Sequence, residues 1–249
     1  MFDRLKTAFR GKRFDPSPRD ETWRWDPSGE GVHERDLFVV VHPAQSSKIV
    51  IMLPGWDGAI DGYEQKYVKL ANYLVEQGVG AVVRSGNPAI PGHPFETTCK
   101  AILRGVAGGA LARAEAICGY PSPQLLLVGW SAGASAIAAL APELPRVERA
   151  LLMAPSGDAG EETVISGLNR FQGDLFVVVG ANDEVVLDLP QRLFALAVGA
   201  RSKRLEVLPD CDHQFRGAHN GRLMSQALLW AFADAPGFPD PEAGIHLYD

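Results

Sequence analysis

Four consecutive apolar residues, Leu125-Leu126-Leu127-Val128, run straight into Gly129-Trp130-Ser131-Ala132-Gly133 and then into a small-residue stretch that ends at Leu140. An apolar run without polar alternation is the pattern of a strand covered on both faces, as in a parallel sheet. The alanine-rich stretch behind it (131–140) reads as a helix. A serine flanked by two glycines therefore sits at an abrupt strand-to-helix turn. Parallel neighbours of such a strand need crossover connections, most often helices.

The rest of the chain supplies those units. Residues 37–41 and 48–53 form two β-branched runs separated by the turn Gln45-Ser46-Ser47. Residues 61–77 carry Tyr63, Tyr67, Leu70, Ala71 and Leu74 at helical spacing and stop at Gly78. A short strand at 81–83, a long helix at 96–118, strands at 147–153 and 175–179, a helix near 188–198, a strand at 204–208 and a closing helix at 219–232 complete the alternation. This order predicts an α/β fold, a mostly parallel central sheet covered by helices on both faces. Residues 36–234 form that domain. Residues 1–35 read as an N-terminal arm, with Trp23 and Trp25 packing on another part of the chain, and residues 235–249 as a non-helical tail rich in Pro, Gly and Asp. Within the arm, residues 1–13 hold five basic side chains against one acid and read either as a frayed terminal helix or as a helix lying on a membrane surface or a partner.

Composition removes several classes of function. The 249 residues carry a net charge of −6, with 46% apolar and 22% charged residues. That is the balance of a folded soluble protein, and it lacks the basic surface that nucleic acid requires. No apolar run reaches the roughly 18–20 residues of a bilayer span, so no stable membrane insertion is expected. Cys99, Cys118 and Cys211 are odd in number and widely spaced, which speaks against disulfides and structural zinc. With no secretory signal at Met1, the expected location is the cytoplasm, and no cofactor or metal is implied.

The turn at Ser131 carries the chemistry. Glycines on either side let strand and helix meet closely, and the turn lifts the serine hydroxyl clear of the sheet while placing N–H groups of a helix N-terminus beside it. The segment resembles the nucleophile elbow of the α/β-hydrolases, and the resemblance spans about residues 36–233. It implies a serine nucleophile, Ser131, followed in the chain by a triad acid and a triad histidine. Asp183, in Gly180-Ala181-Asn182-Asp183, and His213, in Pro209-Asp210-Cys211-Asp212-His213, stand after the expected strands. Asp158, after the preceding strand, is the competing acid. Physically, a serine hydroxyl needs a histidine to take its proton, and that histidine needs a carboxylate to fix its tautomer.

The resemblance further implies an oxyanion hole built from the Ala132 N–H and from the loop Pro54-Gly55-Trp56-Asp57-Gly58, with Trp56 as the second donor and Pro54 where a histidine often stands. Trp130, Arg84 and His93 are candidates for the substrate pocket, with an internal ion pair as the alternative for Arg84. Cys211 reads as an inert buried thiol, and the Gly105–Gly109 segment as helix packing. Only residues 156–173 occupy the interval where many family members insert a cap, room for one short helix, so the site is expected to be open unless the arm or the loop 87–94 covers it. The implied function is hydrolysis of a carboxylic ester of a small acyl substrate through an acyl-enzyme on Ser131. A thioesterase or acyltransferase on the same residues is the alternative within enzymes. A non-catalytic small-molecule binder of the same fold is the alternative outside them.

Overall fold

A computed structural model of the chain describes residues 14–26 and 35–248. Its centre is an eight-stranded sheet of β1 (Arg19–Trp25), β2 (Arg35–His42), β3 (Lys48–Leu53), β4 (Ala81–Ser85), β5 (Gln124–Trp130), β6 (Val147–Met153), β7 (Asp174–Gly180) and β8 (Ser202–Leu208). The spatial order is β1-β2-β4-β3-β5-β6-β7-β8. Strands β3 to β8 run parallel, while β2 is antiparallel to both β1 and β4.

The helices are α1 (Lys66–Glu76), α2 (Phe95–Ala112), α3 (Ala114–Cys118), α4 (Ala132–Leu140), α5 (Glu161–Arg170), α6 (Leu189–Leu196) and α7 (Ala218–Ala233). Alternate residues of the central strands feed two separate cores. Leu125 and Leu127 join Ile49, Ile51 and Leu53 under the α2–α4–α5 layer. Leu126 and Val128 join Val50 and Met52 under α1 and α7. The uninterrupted apolar run of β5 follows from that double coverage.

Two expectations differ from what the structure contains. The arm expected over residues 1–35 includes a strand of the sheet, β1, paired along its length with β2. Its inward side chains, Trp23 and Trp25, lie against α2, and Gly109 and Gly105 of that helix are the positions that admit them, because a Cβ at either would run into the indole or its Cβ. Two separate sequence features, the tryptophan pair and the glycine-rich helix, are thus one contact. The basic segment 1–13 lies outside the described residues. The second difference is at α1, expected from residue 61. The helix begins at Lys66, because Gly62 (φ 70°), Glu64 (φ 49°) and Gln65 (φ 58°) adopt left-handed conformations that no helix continues through.

The interval 156–173 holds α5, which packs on α4 so closely that a Cβ on Gly167 would meet the carbonyl oxygens of Ala138 and Ala139. It does not reach over the carboxyl ends of the strands as a cap. Among the described residues, no helix is long and apolar enough to cross a membrane.

Candidate active site

At the carboxyl end of β5, Ser131 has φ 50° and ψ −116°. A non-glycine residue held there stores strain of about 1–3 kcal/mol, which persists only where neighbours fix it. The Ser131 N–H donates to Met153 O at 2.9 Å, tying the turn to β6. A Cβ on Gly133 would collide with the carbonyl oxygens of Leu53 and Pro54, and one on Gly129 would collide with the backbone of Gly133 and Ala134. Both glycines of the motif are therefore required by close backbone approach.

The Ser131 Oγ lies 3.0 Å from His213 Nε2, and His213 Nδ1 lies 2.7 Å from Asp183 Oδ2. The other carboxylate oxygen, Asp183 Oδ1, accepts from the N–H groups of Val185 (2.9 Å) and Val186 (3.1 Å). With both oxygens engaged and the side chain fully enclosed, the carboxylate has one orientation. The loops behind β7 and β8 are joined backbone to backbone, Ala181 N–H to Leu208 O at 2.8 Å and Asn182 N–H to Cys211 O at 3.0 Å. Asp212 Oδ1 accepts from Gln214 and Arg216 N–H, each at 3.1 Å, and closes the turn that presents His213.

The Pro54–Gly58 loop runs beside the serine. A Cβ placed on Gly55 would be 3.3 Å from Ser131 Cβ. Asn87 holds this loop, donating from Nδ2 to Pro54 O (3.1 Å) and from its backbone to Gly58 O (2.9 Å). The Trp56 ring stacks on Phe95 with centroids 3.9 Å apart. Ala132 opens α4, where the first N–H groups have no intrahelical acceptor.

A cavity of about 550 Å³ opens over the serine, with Ser131, His213, Trp56, Trp130, Tyr67 and Lys66 on its wall. Trp130, one of the pocket candidates, is among the residues that line it. Asp158 also reaches this wall, but its Oδ2 is engaged by the Ser156 hydroxyl at 2.7 Å, and the carboxylate on His213 is that of Asp183.

Two pocket candidates are elsewhere. Arg84 is buried on β4 and pairs with Asp61 at 2.8 Å, donating also to His42 Nε2 and Ile60 O. The buried guanidinium is thus matched within the chain, by a carboxylate whose own side chain is about half exposed. His93 lies in the turn before α2, its N–H bonded to Ile90 O at 3.1 Å, and forms no part of the cavity wall. Cys211 is buried and its thiol is pushed up to about 12, chiefly by that burial, so no thiolate competes with the serine at neutral pH.

Sequence reasoning did not find Lys66 and Tyr67. On an amphipathic helix they look like one surface and one core residue. They begin the helix directly after the positive-φ residues Gly62, Glu64 and Gln65, a break with no sequence signal beyond the glycine itself.

No protein-family model matches the sequence, and no curated protein matches it. Solved structures do. The esterase domain of a Rhodothermus marinus protein superposes with a TM-score of 0.65 at 15% identity, covering 85% of this chain and 96% of its own. Dienelactone hydrolase from Anabaena variabilis gives 0.66 at 15% identity, covering 86% and 99%. A puromycin-hydrolyzing peptidase of Mycobacterium tuberculosis gives 0.67 at 16% identity, covering 90% of this chain and 40% of that one. The fold of this chain is the α/β-hydrolase fold.

Proposed function

We propose that the protein is a serine hydrolase that cleaves carboxylic esters of small acyl substrates through an acyl-enzyme on Ser131. The observation that carries the reading is the continuous hydrogen-bonded line from Ser131 Oγ through His213 to Asp183. With Nδ1–H donated to Asp183, His213 keeps Nε2 unprotonated and accepts the serine proton as Oγ attacks the ester carbonyl. The developing oxyanion is met by the N–H groups of Ala132 and Trp56. As the tetrahedral intermediate collapses, His213 returns the proton to the departing alcohol. A water, deprotonated by His213 in turn, then attacks the acyl-serine and releases the acid.

Esterases and a dienelactone hydrolase among the structural neighbours support an ester as the bond cleaved. Among the described residues no helical cap covers the cavity, which supports a short acyl chain, since each methylene contributes about 0.8 kcal/mol only while it is enclosed.

The test is a panel of p-nitrophenyl esters of increasing length, with matched thioesters and anilides. The expected result is efficiency that rises over the first few carbons and then levels, with no jump at the solubility limit and no turnover by Ser131→Ala. Preference for the thioesters, or activity that survives the loss of Ser131, would contradict the proposal. Binding of esters without turnover would make the protein a small-molecule binder of this fold.

A further inference from the structure

Lys66 is the lysine on the wall of the Ser131 cavity, and its position there opposes ordinary lysine chemistry in three ways. Burial holds its pKa down at about 8, and Asp212 offsets this only in part. It opens α1, which has no acidic residue in its first turn, so the helix dipole acts against its charge. Among the described residues no carboxylate pairs with it, and its ammonium stands 5.0 Å from the centre of the Tyr67 ring. Gly62, at φ 70°, lies against both residues, and a Cβ there would meet the Tyr67 ring at 2.6 Å and Lys66 Cγ at 2.9 Å.

Trp130 lies on the same wall. The indole N–H of Trp130 is buried, in a residue only 5% exposed, and has no acceptor among the described residues. The carboxylate that does face the cavity, Asp158, is taken up by Ser156. Lys66 also borders an adjoining cavity of about 540 Å³, into which Glu64 and Arg216 bring opposite charges. The two cavities share Tyr63, Lys66 and Gln214.

We propose that Lys66 is a specificity-determining residue that selects esters bearing a carboxylate, its ammonium meeting that carboxylate where the two cavities join. An ammonium suits a carboxylate, which offers it two acceptor oxygens. The inference rests on ester hydrolysis at Ser131.

It is tested with two pairs of substrates, monoethyl succinate against ethyl pentanoate, and 4-carboxyphenyl butyrate against phenyl butyrate. The readout is the ratio of kcat/KM for the charged ester to that for its neutral partner. In at least one pair Lys66→Met is expected to lower this ratio by about 10–100-fold, the worth of a charge-assisted hydrogen bond. Lys66→Arg is expected to restore much of it, and added salt to lower the ratio in the unaltered protein. A ratio that stays within about twofold in both pairs, with all four esters turned over, overturns this inference alone. No turnover of any of the four overturns the hydrolase reading and the inference together.

Discussion

The carboxylate of Asp183 and the imidazole of His213 meet at 2.7 Å, although 30 positions separate them in the chain. Two backbone N–H groups hold the far oxygen of Asp183, so the imidazole is oriented by a group that is itself immobile. The pair is assembled because the turns after β7 and β8 hydrogen-bond to each other before either side chain is considered.

Substituting this carboxylate leaves the imidazole without its orienting partner. Asp183→Asn is expected to lower kcat on a short ester on the order of 10⁴-fold. Asp158→Asn, at the cavity wall but bonded to Ser156, is expected to retain most of it. Steady-state kinetics of the two variants separate these outcomes, and the reverse pattern would move the acid to the loop after β6.

Trp23 is buried at 1% exposure beneath α2, remote from the cavity over Ser131. Trp23→Ala should therefore cost stability and not substrate preference. The expected loss is about 3–5 kcal/mol, as for large core aromatics, measured by denaturant unfolding. The acyl-length profile of the protein that remains folded should be unchanged. A shifted profile with little loss of stability would mean that this edge strand contributes to the pocket.

The strand–helix alternation was legible because β3, β5, β6 and β7 are buried on both faces and carry unbroken apolar runs. Ser131, Asp183 and His213 were read as a set from the resemblance to the nucleophile elbow, and His213 lies within hydrogen-bond distance of the other two. β1 was not legible, since an edge strand exposes every second residue and Asp20, Thr22 and Arg24 look like loop. Arg84 was read both as a pocket candidate and as half of an internal ion pair, and the structure contains the ion pair. Its position at the end of β4 is that of a site residue, but Asp61 and His42, distant in sequence, claim the side chain. Lys66 depends on three left-handed residues whose conformations only the folded chain reveals.

His42 is buried between Asn72 and Arg84, bonded to the first through Nδ1 at 3.0 Å and accepting from the second at Nε2. Burial, then the Arg84 charge, bring its pKa from 6.5 to about 4. The unfolded chain therefore binds the extra proton between these values. The contribution is complete above pH 6.5 and is lost as pH falls toward 4, with a slope of up to about 1.4 kcal/mol per unit. Urea unfolding from pH 7.5 to 4.5 should show the stability gap between the protein and His42→Gln narrowing on acidification. A constant gap would show that His42 carries its charge when folded.

The measurement that bears most directly on the chemistry is labelling with a fluorophosphonate, followed by mapping of the modified peptide. One adduct per chain is expected, on Ser131, absent from Ser131→Ala and formed much more slowly by His213→Ala, because the serine is a nucleophile only while the imidazole takes its proton. An adduct at any other residue, or none on the folded protein, would contradict a nucleophilic role for Ser131.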